Sequence, residues 1–397
     1  MDNRPAILGG DIISPHRIPF VRPSLPPLNE ISEKIEEALT SGMVTTGPYA
    51  EQLGEEMAHY MGVKNAVAVS SCTTGLMLAI QALGLPEGSE VVLPSFTFIA
   101  SGLGLVWNRL KLRFADVDVL TMNIDPQSAE EAITANTSAI LGVHQFGNPA
   151  PIEDLQRLAD RRGLRLFFDS AHGLGSWRDS KPLGGFGSVE VFSLSPTKLT
   201  IAAEGGIVAT NDDDIARHVR LGRNYANPGN YDCLFPGINA RMSELHAILA
   251  LSSFKKLGEA SQRRNQAVKL YRERLGRIPG LSFQKIAEND RSSYKDFSIV
   301  VDETEFGLTQ RRLAGALLAE DIQTRIYYSP ILHQMTAFRS FADKDADARL
   351  KNSLYLESHA LSLPLFSDMK DDEVEIVCAA IERIHSHAKA VNFTFSD

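Results

Sequence analysis

From residue 66 onward, short apolar runs alternate with stretches of helical period, and this alternation constrains the fold more than any other feature of the chain. The runs Ala66-Val67-Ala68-Val69, Val91-Val92-Leu93, Ala139-Ile140-Leu141-Gly142-Val143, Leu164-Arg165-Leu166-Phe167-Phe168 and Val189-Glu190-Val191-Phe192 are too brief for helices and suit buried strands. Helical patterns from Leu76 to Leu83, Ile152 to Arg162 and Asp213 to Gly222 separate them. Strands alternating with helices predict an α/β fold with a mostly parallel sheet covered on both faces. Two further helices are expected ahead of the first strand, near 28–41 and 48–61, parted by the Gly42 to Pro48 turn.

After Gly237 the texture changes. Ser243 to Leu275 reads as one long helix or a broken pair, with Ser243 as cap and Gly276 as stop. A strand (Phe297 to Val301), a helix (Thr309 to Glu320), a strand (Thr324 to Tyr328) and a last helix (Asp371 to His387) follow. They suggest a smaller C-terminal α+β domain. The expected division is a large domain over residues 1–250, with the helical segment at its N-terminal end, and a small domain over 251–397.

The composition fits such an architecture. Of the 397 residues, 44% are hydrophobic and 22% charged, the balance of a chain that buries a core rather than of a disordered one. A net charge of −9 argues against an extended nucleic-acid surface, which relies on clustered Lys and Arg. Cys72, Cys233 and Cys378 form no CxxC pair and are too few for a disulfide framework or a four-cysteine cluster. No metal site is expected. The start of the chain lacks a basic stretch followed by an apolar one, and no apolar run reaches membrane-spanning length, so the expected location is cytoplasmic.

In open α/β sheets, ligands gather beyond the carboxyl ends of the strands, where the chemistry-bearing residues should lie. Ser70-Ser71-Cys72-Thr73-Thr74-Gly75 is a hydroxyl-rich turn into a helix, whose free N–H groups attract phosphate, although Ser and Thr are also ordinary caps. Phe98 offers a flat face for an aromatic ring, or simply fills the core. Asp169 ends an apolar strand and needs a partner, either a protonated ring nitrogen or a structural Arg. His172 could donate to a phenolic oxygen or be an ordinary loop histidine. Lys198 lies between the apolar runs Val191-Phe192 and Ile207-Val208-Ala209, where a lysine can lose its charge and form a Schiff base. A phosphate cradle, a stacking ring, an acid for a pyridinium nitrogen and an amine nucleophile are together the requirements of pyridoxal phosphate.

These motifs, with Val143-His144-Gln145-Phe146-Gly147, Glu204-Gly205-Gly206, Gly237-Ile238-Asn239-Ala240-Arg241-Met242 and Tyr327 to His333, resemble the DegT group of sugar aminotransferases over nearly the whole chain. The resemblance implies a fold-type I pyridoxal-phosphate enzyme that moves an amino group from an amino acid, by implication L-glutamate, to a keto sugar, by implication nucleotide-linked. It implies Lys198 and Asp169 as catalytic residues and Cys72, Thr73, Phe98, His172, Ser193 and Asn239 as further cofactor ligands. Asn239 would serve the neighbouring subunit of a homodimer. His333, Arg325 and Tyr225 would line the sugar pocket. Two departures stand out. Ala203 replaces the first glycine of Gly-Glu-Gly-Gly, and Tyr225-Ala226 replaces the His-Gly of Arg-Asn-His-Gly. A keto-cyclitol acceptor, a sugar dehydratase of the same cofactor and a catalytically silent homologue are the alternatives; the intact Lys198 weighs against the last two.

Overall fold

A computed structural model describes residues 3–395. Seven strands build the central sheet: β1 (Asn65–Val69), β2 (Glu90–Pro94), β3 (Lys111–Ala115), β4 (Thr137–Val143), β5 (Arg165–Asp169), β6 (Glu190–Ser193) and β7 (Gly206–Thr210). Their spatial order is β1-β7-β6-β5-β4-β2-β3. From β3 through β6 all neighbours run parallel, while β7 is antiparallel to both β6 and β1. The α/β fold with a mostly parallel sheet is as expected. Five of the strands coincide with the five apolar runs, because strands covered on both faces cannot alternate with polar residues.

Successive residues feed opposite faces. Ala66, Ala68, Val92, Ile140, Phe168 and Phe192 belong to one core, while Val67, Val69, Val91, Leu141, Phe167 and Val191 belong to the other. The two leading helices, Leu28–Ser41 and Pro48–Met61, cover the first face. The start of the second is held by the buried Glu244, whose carboxylate accepts from the N–H groups of Gly47 (2.9 Å), Tyr49 (2.7 Å) and Ala50 (3.1 Å). A helix start has unpaired donors and a positive dipole end, so a carboxylate serves both needs.

The Ser243 to Leu275 stretch is a broken pair, Glu244–Phe254 and Leu257–Leu275, with Ser243 accepting from the Leu245 N–H and Gly276 ending it. The second helix runs from one core to another: Leu257 packs under the sheet, while Ala267, Val268, Tyr271 and Leu275 join a third apolar core. That core lies against a three-stranded antiparallel sheet, β8 (Leu281–Phe283), β9 (Phe297–Val301) and β10 (Ala360–Leu363), and the helices Gln310–Ala319 and Asp371–Ser386. The segment near the chain's beginning joins it too, through Ile18 and the buried Glu320, which accepts from the N–H groups of Ala6 and Ile13.

One expected strand is absent. Thr324 to Tyr328 forms no ladder; Arg325 makes a single bridge to Ser362, after which the chain turns at Tyr327 and Tyr328 toward the main sheet. No helix among the described residues is long and apolar enough to cross a membrane.

Candidate active site

The carboxyl ends of β1, β2, β5 and β6 open onto one cavity of about 370 Å³. Cys72, Thr73, Phe98, Asp169, His172, Ser193 and Lys198 all line it, which brings together seven residues read from separate strand ends.

The helix Cys72–Ala82 starts at the cavity wall. Ser71 caps it, its hydroxyl accepting from the Thr74 N–H at 3.1 Å, so the bland reading of this turn holds. The N–H groups of Cys72 and Thr73 have no protein acceptor among the described residues, however, and remain available to an anion. Close approach of β7 makes this possible. A Cβ on Gly206 would sit 2.6 Å from the Cys72 nitrogen and 2.7 Å from the Ser71 carbonyl carbon. Cys72 itself stays a thiol, since burial pushes it well above its ordinary range.

Asp169 is 3% exposed; one oxygen accepts from the Ser101 hydroxyl at 2.7 Å and the other from the Ala171 N–H at 3.1 Å. Burial raises its carboxyl above the usual range despite those donors and the nearby Lys198. A cationic partner would restore the charged form. Phe98 is 53% exposed, its ring free to stack. His172 is held with Nδ1 accepting from the Phe146 N–H at 3.2 Å and its ring stacked on Phe146. Burial keeps it neutral, well below the ordinary histidine range, so its one proton sits on Nε2 as a donor.

Lys198 occupies the loop between β6 and β7. That loop folds back on itself through Leu194 N–H to Gly205 (2.9 Å) and Ala202 N–H to Leu194 (2.8 Å). Burial, then repulsion from Lys295, brings the Lys198 amine down to about 7. An amine poised there is both a usable nucleophile and a usable proton carrier at neutral pH. Ala203, in the same loop, takes a left-handed φ of 63°, which is the conformation a glycine adopts without cost.

The residues present therefore fit pyridoxal phosphate. Backbone donors suit its phosphate, with Ser193 and Ser195 on the same wall, Asp169 its ring nitrogen, Phe98 its face, His172 its phenolic oxygen and Lys198 its aldehyde.

Four expected residues lie elsewhere. His333 is buried off the cavity, bonded to Ser95 Oγ at 2.7 Å and Asp347 at 2.9 Å, because it follows the chain as it packs on the end of β2. Arg325 is exposed above the Phe20 ring, beside the bridge to Ser362. Tyr225 is 49% exposed under the Arg241 guanidinium. Asn239 is exposed and bridges to Asn224, outside the cavity of its own chain.

Ser101 and Lys295 escaped the sequence reading, and Tyr328 entered it within the Tyr327 to His333 motif without a role. Ser101 is one turn beyond Phe98 on a helix of otherwise apolar character. Tyr328 arrives from the turn that was expected to be a strand, its hydroxyl proton held more tightly by burial. Lys295 comes from the C-terminal part of the chain; a Lys-Asp pair directly before an apolar strand was the available signal.

The sequence pattern of the DegT/DnrJ/EryC1/StrS aminotransferase family matches residues 28–382. The spore coat polysaccharide biosynthesis protein SpsC of Bacillus subtilis is 31% identical over 383 residues, covering 93% of this chain and 97% of that protein. Among solved structures, DesI, crystallised in the presence of its TDP-sugar product, superposes with a TM-score of 0.92 at 32% identity, covering 99% of both chains. The Escherichia coli GDP-4-keto-6-deoxy-D-mannose-3-dehydratase with bound hydrated pyridoxal phosphate gives 0.85 at 25% identity, covering 92% of this chain and all of that one.

Proposed function

Because the chain belongs to the DegT/DnrJ/EryC1/StrS aminotransferase family, whose members depend on pyridoxal phosphate, we propose that it transfers the amino group of L-glutamate to a nucleotide-linked keto sugar, with Lys198 as covalent anchor and proton carrier. The observation that carries this reading is the shared cavity. Lys198, Asp169, Phe98, His172 and the free N–H groups of Cys72 and Thr73 converge on about 370 Å³.

When bound, pyridoxal phosphate supplies an electron sink that lets a proton leave the carbon bearing the amine. The chain's own residues do the rest. Cys72 and Thr73 hold the phosphate through their N–H groups, aided by Ser193. Asp169, kept in place by Ser101 and Ala171, holds a proton on the ring nitrogen. His172 donates from Nε2 to the phenolic oxygen. Lys198 Nζ would anchor the cofactor's aldehyde and, once displaced by the donor's amine, would hold and move the proton at the donor's reacting carbon. Its position near neutrality suits both halves of that task. In overall balance L-glutamate would leave as its keto acid and the keto sugar as the amino sugar, the amine and the carbonyl oxygen changing places through water. The name of SpsC and the TDP-sugar product of DesI support a sugar acceptor. The presence of Lys198 favours transfer over dehydration, since some sugar dehydratases of this type carry His there. We place Asn239 at the partner's cavity in a homodimer, in keeping with its exposure and its position outside its own.

Borohydride reduction of the holoenzyme followed by peptide mapping should find the adduct on Lys198, and L-glutamate should shift the visible band. A colourless protein that ignores pyridoxal phosphate, or an adduct elsewhere, refutes the assignment. Keto-acid release with a panel of nucleotide-linked 3-keto and 4-keto sugars and keto-cyclitols identifies the acceptor.

A further inference from the structure

Lys295 is a cation on the cavity wall to which the reaction above gives no ligand, although its charge helps to lower the Lys198 amine. It enters from beyond the third core, just before β9, and its backbone is clamped. Its N–H donates to the Phe146 carbonyl at 3.0 Å, and its carbonyl accepts from the buried Arg264 at 2.8 Å. The side chain is only 5% exposed, and Nζ lies 2.9 Å and 2.8 Å from the two oxygens of Asp296, itself 4% exposed. The Tyr327 ring lies 5.5 Å away.

A buried Lys–Asp pair adds little to stability compared with apolar residues of the same size, so its place on the cavity wall calls for another reason. An ammonium has three N–H groups. Among the described residues, Nζ bonds only Asp296, and two of its N–H groups suffice for that, which leaves one for a ligand. The amino donor brings a carboxylate on the carbon next to the reacting nitrogen. Of the side chains lining the cavity, only Lys198 and Lys295 carry a cation, since His172 is neutral. Lys198 is consumed as anchor and proton carrier, so it cannot also be a fixed counter-charge.

We propose that Lys295 Nζ receives a carboxylate of the amino donor, with Asp296 holding the ammonium in place, so that this pair selects an amino acid as donor. The proposal rests on the donor half-reaction described above.

The test uses the pyridoxal-phosphate-loaded enzyme and follows its visible band in single turnovers with L-glutamate and, separately, with hydroxylamine, an amine without a carboxylate. Loss of one charge-assisted hydrogen bond should weaken apparent glutamate binding in Lys295→Met by about 10- to 100-fold, leave the hydroxylamine rate within about threefold, and be partly recovered in Lys295→Arg. Since Lys295→Met strands a buried Asp296, the double variant Lys295→Met/Asp296→Leu provides a well-packed control that should show the same loss. Glutamate binding unchanged in both variants overturns the site alone. Equal slowing with hydroxylamine overturns it too, because the effect would then be general damage. A wild-type band that no amino acid moves overturns the donor half-reaction and the site together.

Discussion

Replacing Lys198 with Met should make the cofactor-free protein more stable, although it abolishes turnover. The amine lines the half-open cavity and falls from 10.5 to about 7, chiefly through burial and then through Lys295; Asp296, Cys72 and Asp169 oppose the fall. At about 1.4 kcal/mol per pH unit, that fall caps the cost of housing this amine at about 5 kcal/mol, and its partial exposure makes the expected gain a fraction of that cap. The sign follows from proton linkage. Between about pH 7 and 10.5 the unfolded chain keeps a proton on this lysine that the folded protein releases, so wild-type stability rises with pH across that window. Below pH 7 both states are protonated and the cost is constant. Methionine, of similar length and without charge, removes the cost. Urea denaturation of both apoproteins at equal concentration should therefore show the variant ahead at pH 7, with the gap closing toward pH 10. A variant that is no more stable at pH 7, or a gap that does not change with pH, refutes the reasoning.

Three further outcomes are expected. Asp169→Asn keeps the shape and the acceptor facing the Ala171 N–H, loses the charge, and turns an amide N–H toward the Ser101 hydroxyl, which can rotate to accept it; it should slow the glutamate half-reaction by about a hundredfold or more with little change in melting temperature. Ala203→Gly relieves a left-handed residue, which costs about 1–2 kcal/mol for an L-residue. After the extra freedom of glycine in the unfolded chain is subtracted, a gain of about 0.5–1 kcal/mol should appear in urea titrations. Glu244→Ala strands three buried N–H donors at the start of the helix Pro48–Met61, and at about 1 kcal/mol or more for each should cost at least about 3 kcal/mol; a loss under 1 kcal/mol would show that water replaces the carboxylate.

What could be read from the residues alone follows from how local each signal is. The inner strands of the sheet are apolar throughout, so Val91-Val92-Leu93 or Ala139 to Val143 announce themselves. The edge strand Lys111–Ala115 does not, because Lys111 and Arg113 alternate with Leu112 and Phe114 on its open side. Asp169 and Lys198 were legible because a charged residue after an apolar run is conspicuous. The Lys295-Asp296 pair before an apolar strand marks a buried charge, but that Lys295 reaches the cavity follows from tertiary packing against Phe146 and Arg264, a relation between distant segments. His333 shows the converse relation. Its neighbourhood pointed to the sugar pocket, but packing on β2 turned both ring nitrogens toward Ser95 and Asp347.

The reversed direction of β7 matters beyond sheet topology. A parallel successor to β6 would require the chain to travel over a face of the sheet to its far end, dragging whatever follows Ser193 away from the ligands. By doubling back, the chain keeps Lys198 on a loop anchored on both sides by the same ladder. The loop from Leu194 to Gly205 thus presents Ser195, Thr197, Lys198 and Glu204 to one cavity from a base fixed by two paired strands.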